Sequence, residues 1–198
     1  MFVPIIYMDD MARPKEFDVE AAVEAAVEIF REHGFEGTSA QMLVDTMKIG
    51  RQSLYDTFGD KWGLYCAAVR HYSQGEVREH VEVLDRHDRA IEGIRAMLER
   101  VTAEAERPCL GVGSISEFGC ARPELVKIRE ASGDILGRAL AKALGAARDQ
   151  GDLAADLDID QLVTFLIATI SAIRLTARGG AGRDQVSGLV DLAMRSLR

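Results

Sequence analysis

Guanidinium, amide and hydroxyl side chains are concentrated in one short stretch, residues 51–57, which reads Arg-Gln-Ser-Leu-Tyr-Asp-Thr. If this stretch is helical, Leu54 and Phe58 lie four residues apart on one apolar face. The other faces then carry the polar side chains: Arg51, Gln52, Ser53, Tyr55, Asp56 and Thr57. Arg can make two hydrogen bonds to guanine, and Gln can do the same with adenine. These residue types therefore indicate base-edge recognition, and the chain shows no nucleophile–base pair or paired catalytic carboxylates.

The residues before this stretch predict another short helix and a tight turn. Thr38 and Gln41 have the spacing of a capping box, so we expect a helix to begin there. Lys48-Ile49-Gly50 then breaks that helix. Two short helices across a turn, the second exposing polar groups at its N-terminal end, are the arrangement that helix-turn-helix proteins place in the DNA major groove. On this pattern alone, an ordinary helical bundle remains an alternative.

The run Ala26–Tyr65 closely resembles the DNA-binding domain of the TetR family of bacterial transcriptional regulators. The features in place are Phe30 with Gly34-Phe35, Thr38-Ser39, Leu54-Tyr55, Phe58 and Lys61. The resemblance implies base-edge contacts from Arg51, Gln52 and Ser53. It implies phosphate contacts from Tyr55, Thr57 and Lys61, and it includes Thr38 in the DNA-binding surface. We expect Asp56 to hold Arg51 or Lys61 in place, the alternative being a bond to a cytosine amine.

Three further cations complete the expected DNA-binding set. Lys48 departs from the family pattern, which usually has glycine at a turn where φ is positive; lysine there costs about 1 kcal/mol of strain but adds a cation near a phosphate. Arg13 and Lys15 precede Asp18, the predicted N-cap of the first helix. Such a basic arm can reach phosphates or a minor groove, or it can remain a solvated tail.

The composition describes a globular, helix-rich chain with an unusual charge for a DNA-binding protein. The 198 residues are 47% hydrophobic and 28% charged, and the formal net charge is −8. We therefore expect a narrow phosphate-contacting strip on an acidic body, with limited non-specific DNA affinity. Three cysteines without a CxxC pair favour a reducing cytoplasm over a disulfide scaffold or zinc ribbon. We expect no cofactor and no metal site.

The predicted architecture is all-α, with an N-terminal three-helix helix-turn-helix domain and a C-terminal helical bundle. We predict a disordered extension over residues 1–12, a DNA-binding domain over 13–60 and a ligand-binding and dimerisation domain over 61–198. The segment from Met11 looks like a natural start in the family, so translation could begin at Met1, Met8 or Met11. The apolar residues 1–8 are too short to span a membrane and lack the basic start of a signal peptide.

The C-terminal half resembles the branch of the family with a Cys-Leu element after helix 5. Its glycine-rich break after Pro108 is where a cavity costs least, so we expect a mainly apolar effector pocket there. The predicted contributors are Met97, Val101, Cys109, Ile115, Phe118, Phe165 and Arg174. Arg174 could anchor an acidic ligand, although a structural ion pair is the favoured interpretation. Cys109 could sense oxidants or electrophiles, but free cysteines commonly serve as small packing residues, the role expected of Cys66 and Cys120.

These observations predict a transcriptional regulator that is not an enzyme, and repression is the expected mode of action. We expect it to form a homodimer through its last two helices and to bind a pseudo-palindromic operator. A small-molecule effector would release it by favouring a dimer whose recognition helices are wrongly spaced for DNA. The alternative is a thiol-based repressor that acts through Cys109. A helical-bundle enzyme would need catalytic groups that the chain lacks, and a non-specific architectural DNA protein would need a more basic surface.

Overall fold

The computed structural model describes residues 17–198, where the chain forms nine α-helices and no β-strand. Their bounds are α1 (Val19–His33), α2 (Ala40–Met47), α3 (Arg51–Phe58), α4 (Lys61–Leu84), α5 (Ala90–Ala103), α6 (Leu110–Phe118), α7 (Pro123–Asp149), α8 (Ile159–Arg178) and α9 (Arg183–Arg195). The predicted all-α fold is confirmed. The predicted extension of residues 1–12 lies outside the described residues, as do Arg13 and Lys15.

Two hydrophobic cores follow one another along the long helix α4. The first joins α1, α2 and α3 to the N-terminal half of α4, around the buried side chains of Phe30, Leu43, Leu54 and Tyr65. The second joins the C-terminal half of α4 to α5, α7, α8 and α9, around side chains such as Leu98. Because α4 contributes to both cores, it connects the two halves. A domain boundary at residue 60 stays a prediction.

Helix α2 begins at a different cap from the predicted one. Ser39 is the N-cap residue, and its hydroxyl oxygen accepts a hydrogen bond from the Met42 amide at 3.1 Å. The Thr38 hydroxyl instead donates to the Gly34 carbonyl at 2.6 Å, and Thr38 is only 1% exposed. The Gln41 amide bonds forward along the helix rather than back to a cap. The predicted capping box is therefore wrong, and the buried Thr38 side chain is not part of an exposed DNA-binding surface.

The turn between α2 and α3 has the predicted backbone conformation. Lys48 has φ 53° and ψ 38°, the left-handed region, and it is the one non-glycine residue with positive φ among residues 17–198. The next side chain, Ile49, is buried and anchors the turn to the first core. The strain at Lys48, roughly 1 kcal/mol, is thus offset by packing, while the lysine side chain stays exposed.

Lys61 has a structural position that the sequence did not indicate. Its ammonium group donates to the carbonyl oxygens of Phe35 and Thr38, each at 2.8 Å, and lies 4.1 Å from the centre of the Phe35 ring. It therefore ties the start of α4 to the loop between α1 and α2. Two of its three N–H groups are used inside the protein, and a contact of the third with a DNA phosphate stays a prediction.

We predict that Lys61→Ala lowers the free energy of unfolding by about 2 kcal/mol, because it removes two charge-assisted hydrogen bonds and leaves two carbonyl groups without their partner. Urea denaturation measures this loss. Lys127→Ala, at an exposed position on α7, is the matched control and should change stability by less than about 0.5 kcal/mol. Equal stability of the two variants, with a flatter salt dependence of DNA binding only in Lys61→Ala, would restore the phosphate-contact interpretation.

Candidate DNA-binding surface and regulatory cleft

Helix α3 presents an uncapped N-terminus beside exposed polar side chains. Its N-cap residue is Gly50, which supplies no side-chain hydrogen bond to the first turn. The backbone N–H groups of that turn are therefore free for an anion such as a DNA phosphate, which the helix dipole also attracts. Leu54 is buried in the first core, whereas Arg51 and Gln52 are exposed. The helix is thus anchored by one face and offers its N-terminal end outward.

The side chains of Arg51 and Gln52 differ in how free they are. Gln52 Nε2 donates to Asp56 Oδ1 at 2.7 Å, one helical turn along α3. Asp56 therefore positions Gln52 in this structure, and the prediction that it holds Arg51 or Lys61 is wrong. The Arg51 guanidinium makes no hydrogen bond or ion pair within residues 17–198, so all of its donors are available for a base edge.

The remaining predicted contact residues lie on the turn before α3 and along α3 itself. Lys48 is exposed at the turn, and Tyr55 is 40% exposed. Ser53 and Thr57 are half-buried. Their contacts with DNA stay predictions. With Lys61 turned inward, the expected strip of cations in the described part of the chain is narrower than predicted and depends on Lys48 and Arg51.

Most of the side chains predicted to line the effector pocket do not come together. Met97 and Val101 are fully buried in the second core, which packs around them. Ile115 and Phe165 point to the surface, with 48% and 40% of their area exposed. Phe118 packs against Phe35, Trp62 and Tyr65 in an aromatic cluster. The prediction is wrong for these five residues, because the same apolar periodicity is found where side chains fill a core and where they line a cavity.

A cleft of about 440 Å³ does lie at the predicted glycine-rich break after Pro108, between the C-terminal end of α1 and the helices α6 and α8. Of the predicted pocket residues, Cys109 and Arg174 line it. The lining residues missed by sequence reasoning include three from α1, the glycine that follows α1 and one from α4, which place the cleft at the junction of the two halves. They are Phe30, Arg31, His33, Gly34 and Tyr65.

Arg174 has the structural ion pair that the sequence favoured. The side chain is 4% exposed, donates to the Glu104 carbonyl at 3.0 Å and pairs with Glu76 at 2.9 Å. Glu76 and Glu104 also pair with Arg100, which lies beside the buried His80. Burial, followed by the two nearby guanidiniums, lowers the pKa of His80 to about 4, so its ring is neutral at pH 7. This network joins α4, α5 and α8.

Cys109 is the N-cap of α6. The Cys109 sulfur accepts a hydrogen bond from the Val112 amide at 3.5 Å, and the residue is half-buried. This geometry favours a capping and packing role over thiol sensing. Cys66 is buried, and that burial raises the pKa of its thiol, as expected for a packing residue. Cys120 is exposed, so its assignment to packing is wrong.

Helix α6 is held directly to the N-terminal half by one carboxylate. Glu117 accepts hydrogen bonds from the backbone amides of Phe35, at 2.9 Å, and Glu36, at 3.0 Å. Gly34 permits this approach, since it has φ 69° and a Cβ there would lie 3.1 Å from Glu117 Oε1. Arg31 adds a second contact by donating from Nε to the Pro108 carbonyl at 2.7 Å. We call the Glu117 contacts with Phe35 and Glu36 the α6 latch.

Comparisons with known proteins agree with this architecture. The family model of the bacterial regulatory proteins of the tetR family matches residues 22–68, and that of the tetracyclin repressor-like C-terminal domain matches residues 84–181. YezE of Bacillus subtilis, an uncharacterised HTH-type transcriptional regulator, is 35% identical over 193 residues, covering 94% of this chain and 100% of that protein. The HTH-type transcriptional repressor ComR of Escherichia coli is 23% identical over 189 residues, covering 92% and 90%.

Solved structures show the same resemblance. A cysteine mutant of the TetR family transcriptional regulator CifR, in complex with 26-base-pair double-strand operator DNA, is 30% identical, with a TM-score of 0.77 over 94% of this chain and 100% of that chain. The reduced form of Escherichia coli NemR has a TM-score of 0.80, over 88% of this chain and 93% of that chain. At 16% identity it shows a likeness of fold alone.

We predict that Arg51→Ala weakens binding to a selected operator by about tenfold or more and relaxes base preference at one position in each half-site, because a bidentate Arg–guanine pair discriminates by roughly 1–3 kcal/mol. Fluorescence anisotropy on the operator and on single-base variants measures both effects. Lys48→Ala is the matched control: it removes an exposed cation of the turn and should weaken binding evenly on all sequences. Even weakening by both variants would show that Arg51 contacts phosphate and not bases.

Proposed function

This chain belongs to the TetR family of bacterial regulatory proteins, and from that membership we propose that it represses transcription by binding operator DNA as a homodimer. It is a sequence-specific DNA-binding transcriptional regulator. The geometry of helix α3 is the observation that supports this function. Leu54 anchors the helix in the core. The outer side presents an uncapped N-terminus and the Arg51 guanidinium, which has no partner among residues 17–198. We propose that it acts in the cytoplasm, where it has access to chromosomal DNA. We also propose that it is a regulator and not an enzyme.

The proposed dimer forms through α8 and α9. Both helices leave large apolar side chains exposed on the single chain: Phe165 is 40% exposed, Leu175 52% and Leu192 57%. Helix α8 is long and apolar enough by composition to cross a membrane, yet only 28% of that segment is buried in the protomer. An equivalent surface on a second protomer would cover this face and place two copies of α3 on one side of the dimer.

Regulation is proposed to act through the junction of the two halves. The α6 latch and the Arg31–Pro108 bond connect α6 to α1, while α6 also packs against α8 on the proposed dimer surface. A ligand that binds one arrangement of α6 more tightly would shift the population of dimers. The spacing of the two α3 helices would change with that shift, and operator DNA, whose half-sites have a fixed spacing, would be released.

The experiment selects a binding sequence from random duplex DNA and footprints it with the purified protein. We predict two protected half-sites about one helical turn apart, with two protomers bound in sedimentation analysis. Phe165→Lys should give a monomer at micromolar concentration and lose the footprint, because it buries an unpaired charge in the interface.

Ile135→Lys is the matched control, since Ile135 is 47% exposed on α7, outside the last two helices. It should remain a dimer and keep the footprint. Failure to enrich any sequence would contradict the regulator function. A Phe165→Lys variant that remains dimeric would contradict only the proposed interface.

A further inference from the structure

We infer that Asp56 determines which base pair helix α3 selects, because it orients the Gln52 amide to read an adenine in the major groove. Its carboxylate also lowers the affinity of the protein for all other sequences. This inference rests on the proposed function, since it names one base of the operator that the regulator is proposed to recognise. Gln52 is the residue that contacts the base, and Asp56 is a positioning residue.

One hydrogen bond on the outer face of α3 is the basis of this inference. Gln52 Nε2 donates to Asp56 Oδ1 at 2.7 Å, and both side chains are exposed. The two residues are four apart in the chain, which places them on the same face of the helix. Leu54 lies on the opposite side, is only 1% exposed and packs in the first core. The helix is therefore fixed from within and turns the Gln52–Asp56 pair to solvent.

The carboxylate fixes the direction in which the amide group points. An ionised carboxylate only accepts hydrogen bonds, so the nitrogen of Gln52, and not its oxygen, must face Asp56. This bond uses one of the two N–H groups of the amide and leaves the other N–H and the oxygen Oε1 free. Those two groups match adenine, whose N7 accepts and whose N6 amine donates in the major groove. Without the carboxylate the amide is free to turn over, and its N–H groups can then be aimed at other acceptors such as guanine O6.

The charge of Asp56 has a separate effect on binding. DNA phosphates repel a carboxylate that enters the groove, and this repulsion is the same for every sequence. Within the part of the chain that the structure describes, the Asp56 side chain bonds to Gln52 and to no cation that would offset the repulsion. The orientation of Gln52, in contrast, helps only where adenine is present. Asp56 thus lowers non-specific affinity and raises discrimination, which suits a regulator that must find few sites among many.

Helix α2 contains the same pair of residue types at the same spacing. Gln41 Nε2 donates to Asp45 Oδ1 at 2.8 Å, and both side chains are exposed. Asp45→Ala therefore removes the same charge and the same kind of hydrogen bond from the neighbouring helix. In helix-turn-helix proteins the second helix lies in the major groove, whereas the first crosses the DNA backbone. The α2 pair is thus a matched control that should not affect which base is preferred.

The test selects binding sequences from random duplex DNA with the full chain and then measures affinities by fluorescence anisotropy. We expect an adenine in each half-site whose preference falls about tenfold in Gln52→Ala, since this variant loses the whole bidentate contact. Asp56→Ala should weaken the preference at that same position about threefold, because one orienting hydrogen bond is lost. It should also raise the affinity for a scrambled duplex about twofold. Asp45→Ala should raise the affinity for both duplexes alike and leave the base preference unchanged.

Asp56→Asn separates the hydrogen bond from the charge. The asparagine oxygen can still accept from Gln52, but its nitrogen can also donate, so both orientations of the Gln52 amide have a partner. This variant should match Asp56→Ala in its affinity for the scrambled duplex and keep part of the adenine preference. NMR of the free protein checks the bond itself. The side-chain amide signals of Gln52 should shift in Asp56→Ala and stay in place in Asp45→Ala.

The outcomes distinguish this inference from the function on which it rests. If no sequence is enriched, sequence-specific recognition fails and the inference fails with it. If a sequence is enriched but Gln52→Ala leaves the base preferences unchanged, or Asp56→Ala changes none at the position that Gln52 reads, only the inference is overturned. A cytosine preference that is lost in Asp56→Ala and retained in Gln52→Ala would also overturn it, because the carboxylate would then bind a base directly.

Discussion

Side chains from two other helices form hydrogen bonds with the loop between α1 and α2, and the position of the recognition helix α3 depends on these bonds. Lys61 of α4 binds the loop carbonyl groups, while Glu117 of α6 binds its amides. The two opposite charges thus bind the two ends of one peptide group, the one between Phe35 and Glu36. Because α2 and α3 follow this loop directly, the proposed regulation would act through a shift of α6 that moves this loop and, with it, the residues proposed to face DNA.

The sequence predicted the local features of the helix-turn-helix unit well. Leu54 marked the buried face of α3, and Lys48 marked the left-handed turn. The capping error was a single residue, because Thr38 and Ser39 are adjacent hydroxyl residues and either could have capped α2. Thr38 does not cap α2 because its hydroxyl donates a hydrogen bond to the Gly34 carbonyl, which the turn geometry makes possible. Such competition between neighbours is set by the folded backbone, which sequence spacing does not reveal.

Long-range contacts could not be predicted from the sequence, and the reason is physical. Glu117 is separated from Phe35 by 82 residues, and an exposed glutamate near the end of a short helix has no local signature of a partner. The predicted lining of the effector pocket was wrong for a different reason, since Met97 and Val101 have the pattern of buried positions and are indeed buried. The cleft forms instead where helices from both halves meet, so its lining combines residues that no single helical pattern relates.

The measurement that tests this coupling most directly is amide hydrogen exchange by NMR on Glu117→Ala, combined with its operator affinity. The account predicts faster exchange of the Phe35 and Glu36 amides, an intact first core as judged by the Leu54 amide, and weaker operator binding. Glu130→Ala, an exposed glutamate of α7, should leave all three unchanged. Unchanged protection of the two amides, or unchanged operator affinity after their protection is lost, would contradict the claim that α6 controls the DNA-binding half through this contact.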